Sequence, residues 1–272
     1  MKLGCINSAW LGTNVDYFAG IRKIKEIGFD TIDIFPDFAF QSYELRQIKR
    51  LCESLELPIN AMVSAYPEMI TLEPHVRRFA IDCYKRILDM GVYLEAKSLL
   101  IVLGEYIWEK NVIAPEVQWS YAVEAAKELS AYAAKCEMNV LVELEPFQLS
   151  LVKDIDTMEN FLNDVNMPNC LANIDIGHLH VMQIAPVEIK RLQGRIGGVH
   201  ISDNDGMVHN DWPTGRGNAD IRGYLQSIHE CGYDDVISAE LEFSPDSHGI
   251  VEWVKECYVE TAKIMSELTI RK

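Results

Sequence analysis

Short apolar runs alternate with stretches of helical periodicity along the whole chain, and the alternation repeats eight times. Strands are predicted over residues 2–7, 31–36, 58–66, 98–104, 139–146, 171–178, 195–202 and 234–242. Helical patterns fall between them at 15–27, 43–55, 73–90, 114–136, 157–165, 186–193 and 221–231, and one more over 250–268 closes the chain. Gly28, Gly91 and Gly232 each follow a helical run, where a left-handed residue ends a helix at little cost. Asp156 and Asp220 stand where N-caps are expected. Eight strand-then-helix units without a Pro/Gly/Ser-rich linker predict one domain over residues 1–272, a single (β/α)8 TIM barrel of the α/β class. A doubly wound open sheet is the competitor. It would carry a GxGxxG turn after the first strand, where Asn7-Ser8-Ala9-Trp10 stands instead.

The 272 residues are 49% hydrophobic, enough to fill one large core. No run of uncharged apolar residues is long enough to span a bilayer. Met1-Lys2-Leu3-Gly4-Cys5 superficially resembles a lipoprotein cleavage box but has no apolar segment before the cysteine, so a cytoplasmic protein is expected. The net charge of −16 and the absence of a basic run argue against nucleic acid as a partner. Seven scattered cysteines without a CxxC pair read as reduced core residues rather than a zinc knuckle or a disulfide frame.

Barrels of this kind work at the C-terminal ends of their strands. Four consecutive strands place polar residues there: Val142-Glu143-Leu144-Glu145-Pro146, Asn173-Ile174-Asp175-Ile176-Gly177-His178, Gly198-Val199-His200-Ile201-Ser202-Asp203 and Ser238-Ala239-Glu240-Leu241-Glu242. Side chains alternate along a strand, so the apolar residues of each segment share one parity and face the helices. The polar residues share the other and face the barrel axis. Carboxylates pointing into a barrel without a partner are costly, and several converging on one layer need a cation. Glu145, Asp175, His200 and Glu240 form such a cage. Three oxygen ligands and one imidazole favour one divalent ion, Mn²⁺ first, with Mg²⁺ or Co²⁺ next and Zn²⁺ less suited because no thiolate is offered.

The chain here resembles the sugar isomerase/epimerase group with xylose-isomerase-like barrels, which includes ketose 3-epimerases, hydroxypyruvate isomerase and inosose dehydratase. The resemblance is carried by Leu144-Glu145-Pro146, Asp175-Ile176-Gly177-His178, Val199-His200-Ile201-Ser202-Asp203, Pro213-Thr214-Gly215-Arg216-Gly217, and Gly232-Tyr233-Asp234 running into Ser238-Ala239-Glu240. It implies that Glu145, Asp175, His200 and Glu240 are metal ligands and that Glu145 and Glu240 are also the acid/base pair. It further implies that His178 holds substrate oxygens and that Arg216 contacts substrate. Epimerases of the tagatose type carry a further glutamate and an Asn-Arg pair after the fifth-strand ligand. Pro146-Phe147-Gln148-Leu149-Ser150-Leu151 stands there in this chain, which argues against a direct transfer of ketohexose 3-epimerase activity. The group also implies a dimer or tetramer.

The expected chemistry is proton transfer beside the carbonyl of a small carbohydrate through an enediolate intermediate. Return of the proton to the opposite face gives epimerisation, and return to the neighbouring carbon gives isomerisation. Loss of a leaving group would make the protein a lyase on an oxidised sugar, such as a dehydratase or a C-glycoside-cleaving enzyme acting on a 3-oxo-glucoside, with a small partner subunit in the second case. A binding protein without catalysis would hold no metal in the cage. DNA repair is disfavoured by the acidic charge and by the lack of further strand-end histidines on the first four strands.

Among the remaining polar residues, His178 is weighed between substrate contact and a structural hydrogen bond, and His180 is read as structural. His75, His229 and His248 are read as surface or capping residues. Glu143 lies one inward step below Glu145, roughly 6.8 Å deeper, where it either orients a ligand or forms half of a buried ion pair. Asp203-Asn204-Asp205-Gly206 reads as a turn, because the glutamate that would close a calcium loop is replaced by Thr214. The long segment 203–218 is expected to lie over the site. Trp10, Phe35, Tyr66, Tyr106 and Trp108 follow the early strands, where together they could wall a sugar or aryl pocket, Tyr66 and Trp108 as direct substrate contacts. No glycine loop cradles a phosphate, which favours a non-phosphorylated substrate.

Overall fold

Eight parallel strands pair in chain order and close on themselves: β1 (Lys2–Ile6), β2 (Thr31–Ile34), β3 (Ile59–Val63), β4 (Ser98–Ile101), β5 (Asn139–Glu143), β6 (Cys170–Asp175), β7 (Ile196–Ile201) and β8 (Val236–Ala239). The computed structural model describes residues 1–36, 42–104, 113–242 and 249–272. The helices are α1 (Tyr17–Ile27), α2 (Ser42–Ser54), α3 (Pro74–Leu94), α4 (Pro115–Ala134), α5 (Ile155–Val165), α6 (Ile176–Val181), α7 (Ile221–Glu230) and α8 (Ile250–Glu267). The (β/α)8 TIM barrel expected from the periodicity is the observed fold. Among the described residues, no helix is long and apolar enough to cross a membrane.

Strand parity divides the molecule into two cores. Val142, Leu144, Ile174, Ile176, Val199, Ile201, Ala239 and Leu241 are buried between sheet and helices in the large outer core. Ile6, Val63, Leu100, Val102 and Leu141 form a small inner cluster, against which Phe35 and Leu171 pack. These inner residues come from β1 and β3–β5 and their ends, so one side of the barrel interior is apolar. The other side, from β5 to β8, carries most of the polar residues, and Asp33 of β2 adds a buried carboxylate to it. A register slip of one residue would exchange the two sets, losing about 1.5–3 kcal/mol for each large apolar side chain moved out of the core.

Local chemistry sets the helix ends, with two departures from the expected caps. Gly28 ends α1 at φ 119°, and Gly232 follows α7 at φ 85°. Asp220 caps α7 by accepting the Gly223 N–H. The cap of α5 is Asp154 rather than Asp156: its carboxylate accepts the Thr157 N–H while Thr157 Oγ1 accepts from the Asp154 N–H, a reciprocal box that Asp156 has no partner to form. Gly91 lies inside α3, which runs on to Leu94 and ends at Glu95 in the left-handed region. A side chain at Gly91 would strike Met138 Cε at 2.8 Å and Met62 Cγ at 3.0 Å, so this glycine lets α3 approach the sheet. The sixth strand stops at Asp175 rather than at His178, because the Asp175 side chain accepts the His178 N–H and starts α6 at once. The pattern over 186–193 is a 3-10 helix (Pro186–Leu192). All seven cysteines are free, and only Cys136 is part-exposed.

The outer helices are tied together by charge. Glu128 on α4 accepts both arms of Arg78 at 3.0 and 2.9 Å and Lys85 Nζ at 2.6 Å, both from α3. The Arg78 hydrogen bonds, aided by Lys85, hold the Glu128 carboxyl below its ordinary value of 4.5. Its folded value therefore lies below its unfolded one, so the stabilisation is complete above pH 4.5 and is lost as the pH falls through the lower folded value. The side chain is 38% exposed, so solvent screens the pair. Glu128→Gln is expected to lower stability by about 0.5–1 kcal/mol at pH 7, with the difference shrinking toward pH 3.5, as read from urea unfolding midpoints at the two pH values.

Candidate active site

The polar side of the barrel is built by register. Glu143 pairs with Asn173 across β5 and β6, Asn173 with Gly198 and Asp175 with His200 across β6 and β7, and His200 with Ser238 across β7 and β8. Glu240 is two residues beyond Ser238 and so points the same way. One ligand atom from each of Glu143, Asp175, His200 and Glu240 lies within 4.8 Å of the others. His200 Nδ1 is 2.9 Å from both Glu143 Oε1 and Glu240 Oε2. Asn173 Nδ2 donates to Glu143 Oε1 at 2.8 Å from the neighbouring strand. Gly198 has to be a glycine here, because a Cβ would come within 2.4 Å of Asn173 Oδ1.

Three buried carboxylates and one imidazole at this spacing are not internally balanced. Burial pushes the Glu240 carboxyl well above the usual range, and the His200 charge only partly offsets it. His200 itself is held well above an ordinary imidazole, because Glu240 and Glu143 outweigh the cost of burying its charge. Burial would raise Asp175 too, but the charges of His178 and His209 outweigh it and bring its carboxyl down to about 2. Asp175 Oδ1 accepts the His178 N–H at 2.7 Å, whereas Oδ2 is fully buried and accepts no hydrogen bond. A bare carboxylate oxygen among carboxylates and an imidazole fits a divalent cation, whose charge would balance the group.

Of the four expected ligands, Asp175, His200 and Glu240 come together, and Glu143 is the fourth member of the cluster. Glu145 lies beside it, 8% exposed. Burial pushes its carboxyl up to about 7, with His178 and His209 opposing the shift and Glu143 and Asp175 adding to it. His178 Nδ1 is 2.7 Å from the Leu144 carbonyl, so this nitrogen carries the proton and Nε2 is the one left for other contacts.

His209, which the sequence reading did not weigh, is part of the site. Its ring meets that of His178 edge-on at 4.3 Å, and an atom of each lies within 4.8 Å of a carboxylate oxygen of Asp175. Burial disfavours its charged form, but Asp211, 2.8 Å away, together with Asp175 and Glu145 holds its pKa up to about 9. Its position in the 203–218 segment, expected to cover the site, was the only available signal.

That segment is organised by Asp203, whose buried carboxylate accepts four backbone N–H groups, from Asn204, Gly215, Gly217 and Ala219, at 2.9–3.1 Å. Asp203 and Trp212 also exchange backbone hydrogen bonds, and Asn204 Nδ2 donates to the Gly177 carbonyl. Asp205 accepts from Met207 and Val208, so the calcium-like run is a turn, as expected. His180 Nε2 pairs with Asn218 Oδ1 at 2.7 Å and ties the same loop to α6.

The Arg216 guanidinium forks onto Glu256 of α8 and stacks 4.6 Å from the Trp253 ring centroid. Tyr66 follows β3, and its ring meets Tyr84 edge-on at 5.3 Å. Trp10 is buried against Gly20 of α1. Tyr106, Trp108 and His248 lie outside the described residues.

A sequence profile described as the xylose isomerase-like TIM barrel matches residues 21–257, most of the chain. The protein belongs to that family. Within it, the chain is 27% identical over 237 residues to the fructoselysine 3-epimerase of Escherichia coli O157:H7, covering 81% of this chain and 83% of that one. It is 25% identical over 287 residues to the inosose isomerase of Bacillus velezensis, covering 100% and 98%. The fold is shared with the solved IOLI protein that binds a zinc atom, at TM-score 0.84 and 21% identity over 98% of this chain and 99% of that one. A D-tagatose 3-epimerase-like protein superposes at TM-score 0.83 with 21% identity, over 99% and 100%.

Removing the Asp203 carboxylate would leave four backbone N–H groups, that of Asn204 buried, without their acceptor. Asp203→Ala is expected to cost on the order of 3 kcal/mol in urea unfolding and to open the 203–218 loop to limited proteolysis in the native state.

Proposed function

We propose that this member of the xylose isomerase-like TIM barrel family is a divalent-metal-dependent isomerase or epimerase of a small carbohydrate. One observation carries the reading: a buried cluster of carboxylates and an imidazole on four adjacent strands, with Asp175 Oδ2 left bare. Asp175, His200 and Glu240 would hold the ion, with Glu145 or Glu143 as the fourth ligand. Their hard donors suit Mn²⁺, then Mg²⁺ or Co²⁺. When bound, such an ion polarises a carbonyl oxygen and its neighbouring hydroxyl and so acidifies the C–H between them.

The proton steps belong to the protein. Glu145, a buried carboxylate beside the cluster, is suited to take a proton from carbon. Glu240, on the far strand of the polar half, gives its own proton to the opposite face in an epimerisation, which leaves Glu145 protonated and Glu240 ionised. His178 Nε2 is free to hold a substrate oxygen, since Nδ1 is spent on the Leu144 carbonyl. The names of the two sequence relatives direct the search to ketose conjugates of amino acids and to inososes. Both carry the ketone beside a C–H that this chemistry requires.

The test is proton NMR in D₂O with fructoselysine and an inosose as substrates, before and after chelation and on reloading with Mn²⁺. Deuterium uptake beside the carbonyl, with a new sugar formed, is expected only in the loaded protein. Glu145→Gln and Glu240→Gln are expected to slow it by about 10²-fold or more. Exchange that survives chelation would overturn the metal assignment. Release of water or an aglycone in place of an isomer would make the protein a lyase. Comparing Glu143→Gln with Glu145→Gln by Mn²⁺ titration separates the fourth ligand, since a carboxylate that only orients a ligand costs about 10–100-fold in affinity.

A further inference from the structure

One buried polar residue inside the barrel is left idle by the proposed chemistry. Asn173 is fully buried, one inward step deeper on β6 than Asp175. Its register partners are Glu143 on β5 and Gly198 on β7, and Gly198 stands one inward step before His200. Asn173 thus sits on the strand flanked by those that carry Glu143 and His200.

The orientation of its amide is fixed by chemistry at one end and by space at the other. Only the NH₂ end of an amide donates, and a carboxylate is an acceptor, so Nδ2 faces Glu143 and donates to Oε1 at 2.8 Å. The same Oε1 is 2.9 Å from His200 Nδ1. The other end, Oδ1, is buried with no hydrogen-bond partner, and a Cβ on residue 198 would stand 2.4 Å from it. Leucine has nearly the shape of asparagine and would fill this space without stranding a carbonyl oxygen. An orphaned buried acceptor is a cost that calls for an explanation. What the chain gains is one N–H on the Glu143 oxygen that meets His200. A neutral amide supplies it without setting a second positive charge against the carboxylate, as a lysine or arginine would.

We propose that Asn173 is a positioning residue for the candidate site. Its amide pins the Glu143 carboxylate against His200, and Gly198 keeps open the space in which the amide turns to do so. Without that N–H, His200 is the remaining partner of Glu143 among the described residues, and the long side chain can swing its carboxylate off the imidazole. The role is the same whether Glu143 is the fourth ligand or only orients His200. It rests on the reading of the cluster as an ion site for its effect on binding, but not for its effect on Glu143 itself.

The test combines Mn²⁺ titration with crystal structures of the metal-free protein, for the unaltered chain, Asn173→Leu, Glu143→Gln and the double variant. Asn173→Leu is expected to weaken Mn²⁺ binding by about 10–100-fold. Because Asn173 acts through Glu143, the double variant is expected to bind no more weakly than Glu143→Gln alone. In metal-free Asn173→Leu the Glu143 carboxylate is expected to be turned away from His200. Gly198→Ala is expected to reproduce the loss and serves if Asn173→Leu fails to fold. A residue that only packs would lower the urea midpoint and leave the affinity of the folded protein unchanged. Unchanged affinity in folded Asn173→Leu, losses that multiply in the double variant, or a Glu143 carboxylate still at its present distance from His200 would each overturn the proposal. If the unaltered protein binds no Mn²⁺, the ion-site reading falls, and the metal-free structures alone decide the role of Asn173.

Discussion

The burial of several carboxylates on one side of a barrel interior is the constraint on which the rest of the structure depends. Taking a carboxylate out of water without compensation costs more than one packed aliphatic side chain returns. Glu143, Glu145, Asp175 and Glu240 nonetheless converge beneath one mouth, with His200 as the imidazole between two of them. The fold tolerates this because the opposite side of the interior is filled by Ile6, Val63, Leu100, Val102 and Leu141 and because every strand buries an apolar face under the helices. The energy of packing is made away from the site, and most of the buried charge is gathered around it. Burial of that kind is a usual companion of chemistry, since the same desolvation that penalises a charge brings Glu145 into a range where it can exchange a proton near neutral pH.

Much of this was legible in the chain because a strand has a period of two. Parity alone separated Val142 and Leu144 from Glu143 and Glu145, and it did so again on the next three strands, so barrel and polar mouth follow from one rule. The same rule could not choose between Glu143 and Glu145. Both point inward, and which one meets His200 depends on strand tilt and depth, which a pattern of residue types does not encode. Strand ends were also overextended at Pro146 and His178, because apolar alternation continues past the point where Asp175 turns the chain into α6.

His209 was invisible for a different reason. It is brought to His178 by a loop whose path is set by four hydrogen bonds to Asp203, made by residues up to sixteen positions away. Arg216, in the same loop, was expected to contact substrate, and the partners that engage its guanidinium are Glu256 and Trp253 of α8, far away in sequence. Loop residues take their roles from tertiary partners, so a motif that includes Pro213-Thr214-Gly215-Arg216 locates the loop better than it locates any one side chain.

Hydrogen-bond donors distinguish the carboxylates that build the site from those available to act in it. Asp203 spends both oxygens on four N–H groups and is thereby fixed. Asp33 is held by the Asn60 amide and the Ala61 N–H, and Glu143 by Asn173 and His200. Asp175 receives a single N–H, from His178, and keeps its other oxygen bare. A saturated carboxylate has little left to offer a cation, whereas a buried oxygen with no donor is stable only if something positive approaches it. Glu143, already wedged between Asn173 and His200, is therefore better placed to orient the imidazole than to act on substrate. Asp175 is the hinge of the arrangement, among the described residues the carboxylate common to the His200–Glu240 group and the His178–His209 group.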